Sequence, residues 1–241
     1  MSHRDTTEQV GDALDRTLGA AIEHATGHVP DAVRPRLRGW LHAAAAPVAL
    51  VCGIVLVALS RGGPEIAASA VYAFTTTALF AVSAAYHRGR WTPRTHGVLK
   101  RVDHANIFLI IAGTYTPFTV VLLDGGARTA LLWLVWALAL IGVAFRVLWV
   151  GAPRWLYVPA YVAFGWVAVF FLPEFAVAGG IAVIVPVIVG GLLYTLGGVV
   201  YALKRPDPHP GWFGFHEVFH ALTLLAYVLQ YIAVMITVVA H

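Results

Sequence analysis

Charged side chains are scarce in this 241-residue chain: 12% of its residues are charged and 59% are apolar, where a soluble domain carries about 25% charged residues. That scarcity, with a mean hydropathy of +0.77, excludes an ordinary soluble domain. Cysteine is nearly absent. The single Cys52 sits inside an apolar run, so no intrachain disulfide forms and nothing implies an oxidising compartment. Residues 1–36 lack the apolar core of a signal peptide. No internal repeat or low-complexity tract appears. The pI near 9.4 invites a nucleic-acid partner, but the basic residues follow membrane topology and form no patch, so none is expected.

What the chain has instead is a succession of apolar runs of about 18 or more residues, each long enough to cross a hydrocarbon core as a helix. The spacing predicts an all-α membrane protein, a bundle of seven transmembrane helices near 40–60, 65–87, 102–123, 127–149, 155–172, 179–203 and 215–239. A basic loop, 88–101, separates the second span from the third. Residues 37–241 form this domain, and 1–36 a polar leading segment. In that segment Val10, Leu14, Leu18 and Ile22 recur every fourth residue, as in a short amphipathic helix. Trp40, Trp91, Trp149, Trp155 and Trp212 read as interfacial anchors.

The distribution of Lys and Arg orients the bundle. With the N-terminus in the cytoplasm, 14 basic residues fall inside and 2, Arg61 and Arg128, outside. The C-terminus is then expected outside, and the cytoplasmic membrane is the expected location.

Orientation also sorts the polar residues by depth. His87 ends the second span on the cytoplasmic side, and Ser83 lies one turn deeper on the same face. Asp103 opens the third span there, and His216 and His220 open the seventh. Residues four apart share a helix face, so His216 and His220 can grip one ion. A stripe continues from them through Thr223, Tyr227 and Gln230, about 21 Å long. Asp103, Asn106 and Thr114 share a face of the third helix, and Thr76, Ser83 and His87 one of the second. Polar faces within a membrane turn inward, so these three helices are expected to line a cavity long enough for an acyl chain.

Three neutral imidazoles and a water make a catalytic zinc shell. In this reading His87, His216 and His220 are the metal ligands, Asp103 orients the water and takes its proton, and the Ser83 hydroxyl bonds the developing oxyanion. His42, His96, His104 and His209 read as interfacial or hydrogen-bonded residues. A rival lies in the spelling His216-Glu217-Val218-Phe219-His220, which matches the zincin pattern H-E-x-x-H, with Glu217 as the general base of a protease. Such a site would want a further acidic ligand deep in another span. After Asp103, none carries one except Glu217 itself.

Ser83-Ala-Ala-Tyr-His87, then Lys100-Arg-Val-Asp103-His-Ala-Asn-Ile with Ala112-Gly-Thr-Tyr-Thr-Pro117, then Phe215-His216-Glu-Val-Phe-His220, taken in that order, resemble the hemolysin III family. That family sits with the progestin and adipoQ receptors and, more distantly, with the alkaline ceramidases. The resemblance covers about residues 36–240. It implies seven helices, a cytoplasmic N-terminus, and zinc held by His87, His216 and His220 near the cytoplasmic face, with Asp103 holding the zinc-bound water and Ser83 beside it. The wider group needs only H-x-x-x-H, so the resemblance favours Asp103 over Glu217 as the base. The function it implies is a zinc-dependent hydrolase of lipid-like amides or esters. A receptor or sensor with a structural zinc, and a hemolytic pore, are alternatives within the same group. Membrane lipids, and a lipid-like substrate or ligand in the cavity, are the expected partners.

Overall fold

A computed structural model describes residues 35–240; the amphipathic helix expected around Val10–Ile22 lies outside them. Among the described residues the regular secondary structure is helical, apart from a single bridge between His209 and Phe213. The helices are α1 (Trp40–Leu59), α2 (Gly63–Arg88), α3 (Pro93–Leu122), α4 (Gly125–Leu148), α5 (Arg154–Gly165), α6 (Leu172–Leu203) and α7 (Phe215–Ala240), with a 3-10 stretch, Trp166–Phe171, between α5 and α6.

Local signals set the starts. Gly62 and Pro64 open α2, and the Thr92 side chain accepts from the Thr95 amide with Pro93 in the first turn of α3. This cap corrects one expectation: most of the basic segment 88–101 is not a loop but the first turns of α3, which begin at Pro93. Prolines 47, 117, 159 and 186 lie inside helices, as membrane helices tolerate when neighbouring groups satisfy the freed carbonyls.

Among the described residues, six helical stretches are long and apolar enough to cross a membrane. One of them, Arg154–Leu203, has 50 residues, roughly 75 Å if straight against a hydrocarbon core of about 30 Å. It is not straight. The Tyr157 hydroxyl donates to that of Tyr201, Val158 and Val162 lie against Gly198, and the Trp166 indole donates to Thr195 Oγ1. Residue numbers rise on α5 as they fall on α6, so the two run antiparallel. The stretch expected to link them, 173–178, is helical as well, because Pro173 and Glu174 supply helix-opening signals at once. A backbone break follows at Gly180, with φ 69° and ψ −176°.

Helix α3 is the axis of the bundle. Its most apolar window is 72% buried, against 28% for α1 and for α4, and it touches every other helix except α1 in the main contacts. Helix α7 returns to pack on α6, α1 and α3. The core between them is aromatic and aliphatic: Tyr72, Phe80, Phe108, Phe118, Phe175 and Val234 are buried. Outside, large apolar side chains such as Ile54, Phe74, Trp133 and Val177 are exposed. In water such a surface would aggregate, and in a bilayer it meets acyl chains. The molecule is a membrane protein.

The break at Gly180 gives a clean test. A methyl group there would have nothing within 4 Å, so any cost of substitution is backbone strain in a region essentially reserved for glycine. Gly180→Ala is expected to lower stability by about 1–3 kcal/mol, read by thermal unfolding in detergent. Gly126→Ala, at an equally open position without positive φ, is expected to be neutral or slightly stabilising.

Candidate metal centre

The start of α7 is tied down before any chemistry is considered. Helix N-termini expose unbonded amides. Here Glu217 Oε2 accepts from the Gly214 amide at 2.9 Å, and Asp207 Oδ1 accepts from the Phe215 amide at 2.9 Å. Glu217 thus plays the returning half of a capping box, and both carboxylates favour the positive end of the helix dipole. Its other oxygen, Oε1, takes the Arg38 Nε–H at 2.5 Å, and Glu217 is 1% exposed.

Arg38 is delivered by the segment ahead of α1. The Arg36 amide donates to the Gly211 carbonyl and the Leu37 amide to that of Trp212, while the Arg36 guanidinium covers the Trp212 ring. Gly39 then turns the chain into α1 with φ 78°. A side chain there would be strained and would meet His87 Cβ. The chain before α1, the loop before α7 and the end of α2 therefore meet at one point.

At that point stand the three histidines. Their ligand nitrogens all lie within 4.8 Å of one another. His87 Nε2 is 3.2 Å from His216 Nε2 and 4.0 Å from Asp103 Oδ2. Ser83 lies beside the Asp103 carboxylate, on the wall of the same cavity. All five residues placed together by sequence depth are thus neighbours. The donor set suits zinc: with Zn–N near 2.0–2.1 Å, tetrahedral ligands stand roughly 3.3 Å apart, close to the His87–His216 separation.

Several neighbours carried no sequence signal. His42 was expected at an interface or in a hydrogen bond, and it is neither: it is buried, both ring nitrogens lack a hydrogen-bond partner, and it stacks on His220 with ring centroids 3.8 Å apart. The reason is the turn at Gly39, which carries α1 inward across the end of α2. His104 Nδ1 bonds the Lys100 carbonyl of its own helix at 2.7 Å and lies 3.9 Å from Asp103 Oδ2.

A cavity of about 1160 Å³ opens from this centre. His216, His220, Thr223 and Gln230 of α7 line it, as do Asp103 and Thr114 of α3 and Ser83 and His87 of α2. Tyr227, Asn106 and Thr76 do not: Tyr227 packs on Phe80, Asn106 donates to the Ala78 carbonyl and Thr76 to that of Tyr72. The wall was expected from α2, α3 and α7, but α5, the 3-10 stretch and α6 supply much of it, through Tyr161, Trp166, Val187 and Tyr194.

Fold and site define a polytopic helical membrane protein whose bundle encloses a largely apolar chamber and gathers three imidazoles and a carboxylate at one end. A family model described as Haemolysin-III related matches residues 31–231, and the chain belongs to that family. Among its relatives, the hemolysin-3 homolog of Bacillus subtilis (strain 168) is 35% identical over 124 residues, 51% of this chain and 58% of that protein. Hemolysin-3 of Bacillus cereus is 31% identical over 168 residues, 66% of this chain and 74% of that protein. The chain thus spans little more than half the length of the Bacillus subtilis relative in alignment.

The Arg38–Glu217 pair carries a prediction. Removing one member strands a charge in a buried site, so Arg38→Ala is expected to destabilise by about 3 kcal/mol or more. Thermal unfolding in detergent measures it, and a melting temperature equal to that of the wild type would refute the anchoring role.

Proposed function

We propose that this protein is a seven-span zinc hydrolase of the cytoplasmic membrane, with its N-terminus in the cytoplasm, acting on an amide or ester bond of a lipid-like substrate. The observation that carries the reading is the convergence of His87, His216 and His220 within 4.8 Å, beside Asp103, at the end of an apolar chamber. The count of seven rests on the antiparallel α5 and α6, which make two passes of one long apolar stretch. The orientation rests on the 14 to 2 division of basic residues.

His87, His216 and His220 would hold the ion as neutral imidazoles. Bound zinc lowers the pKa of a coordinated water to about 7 and polarises a carbonyl. Asp103, 4.0 Å from His87 Nε2, is the group placed to take a proton and later return it to the leaving group. Ser83 lies beside that carboxylate on the chamber wall, where its hydroxyl is available to a developing oxyanion. The apolar wall of Ile107, Ile111 and Phe118 keeps water from the acyl part of the substrate. Glu217 is not available as a base, since both its oxygens are engaged by Arg38 and the Gly214 amide. That engagement argues against the intramembrane protease reading. The name of the Bacillus cereus relative supports a second reading, membrane lysis, and the same variants separate the two.

The purified wild type is expected to carry about one zinc per chain, and His87→Ala and His216→Ala to lose it while remaining folded. Asp103→Asn is expected to keep zinc and lose at least about 100-fold in hydrolysis of ceramide or acyl-amide substrates. Zinc-free wild type would end the hydrolase reading. Lysis of erythrocytes retained by folded His216→Ala would detach lysis from the metal. For topology, alkaline phosphatase fused after residue 241 is expected to be active and the same fusion before residue 1 inactive.

A further inference from the structure

Arg146 is the most expensively placed side chain in the bundle. It is 1% exposed, in the last turn of α4, and lines the chamber. Its Nη1 donates to the Trp149 carbonyl at 3.4 Å, the Tyr161 hydroxyl lies beside it, and its guanidinium sits over the Tyr157 ring at 4.3 Å. Nε has no hydrogen-bond partner. A second arginine repeats the arrangement. Arg154, at the start of α5, also lines the chamber, lies 4.8 Å over the Tyr201 ring, and leaves Nη1 buried without a partner. Tyr157 and Tyr201 are themselves hydrogen-bonded through their hydroxyls at 3.3 Å, so the two guanidiniums flank one tyrosine pair.

Neither arginine forms an ion pair with a carboxylate among the described residues. A fully buried guanidinium without a counter-charge is costly, and cation–π contact offsets only part of that cost. Interior arginines near a membrane face mark the path or seat of a ligand. The remaining donors of a guanidinium are shaped for a two-oxygen anion, which is why arginine serves carboxylate and phosphate recognition. Beyond this end the chamber wall turns apolar through Ile107, Ile111, Phe118 and Val187.

We propose that Arg146 and Arg154 form a headgroup subsite, and that the chamber binds an amphiphile with an oxyanion head, carboxylate or phosphate, on an acyl chain. The inference rests on the reading of the chamber as a lipid site and not on the presence of zinc or on hydrolysis. It places the head close to the histidines: Tyr201 is 5.7 Å from the His216 ring and Arg154 is 5.8 Å from the Phe215 ring.

The test is equilibrium binding of radiolabelled palmitate, phosphatidic acid and diacylglycerol to the purified protein in neutral detergent. Wild type is expected to bind palmitate or phosphatidic acid at least about tenfold more tightly than diacylglycerol. Which of the two binds better identifies the head. Arg154→Gln and Arg146→Gln are each expected to remove about tenfold of the anionic affinity, leaving diacylglycerol binding and zinc content unchanged, while Arg146→Lys keeps part of it. Arg154 is only half-buried, so its variant carries the test if Arg146→Gln does not fold. Inorganic phosphate that displaces palmitate as well as phosphatidic acid does would point to a free anion and overturn the amphiphile. Equal affinity for diacylglycerol and the anionic lipids, or anionic affinity unchanged in Arg154→Gln, would overturn the subsite and leave the chamber reading standing. Absence of binding by all three lipids would overturn both, with the zinc result unaffected.

Discussion

Glu217 is where the loops and helices of this protein are brought to account. A carboxylate with almost no exposure survives at a membrane edge only if its oxygens are bonded, and here one takes a guanidinium and the other a backbone amide. Because Arg38 comes from the chain before α1 and Gly214 from the loop before α7, the pair ties the first helix to the last. It also fixes the rotation of α7 about its axis. With Glu217 turned toward the chain before α1, His216 and His220 on the neighbouring arc of the same helix meet His87 of α2, and His220 also stacks on His42 of α1. A residue that spells a protease base is thus spent on holding the histidines in place.

The chamber follows from a second constraint, the reversal between α5 and α6. Helix α5 is short and passes into a 3-10 stretch, and α6 breaks at Gly180 before running back. Short, broken elements pack less closely against the α3 axis than α2 and α4 do, and the space remains open along α7 from His216 to Gln230. Its two ends differ in chemistry. Imidazoles, a carboxylate and buried arginines gather at one, while aliphatic and aromatic side chains line the rest.

The histidine centre was legible because three independent signals agreed. His216 and His220 are spaced for one helix face, the basic residues gave an orientation, and orientation put His87 and Asp103 at the same depth. Much of the cavity face was legible in the same way, but Tyr227, Asn106 and Thr76 share the stripes and still point elsewhere. Helical phase resolves a face only to a broad arc, and neighbours decide the rest. The beginning of α3 was misplaced because a basic segment reads as loop, whereas Thr92 and Pro93 start a helix there that projects past the apolar stretch.

By itself the sequence determined a helical membrane protein: apolar runs of bilayer length leave the backbone no alternative to satisfying its hydrogen bonds within each segment. It also determined which residue types can hold a metal and roughly at which end they lie. Only the tertiary structure decided that His42 stacks on His220, that Arg38 occupies Glu217, that α5 and α6 double back to form a wall, and that Arg146 and Arg154 flank one tyrosine pair. Those contacts join residues from different helices. Lateral order in a bundle is set by side-chain packing between helices, which no single run of sequence records.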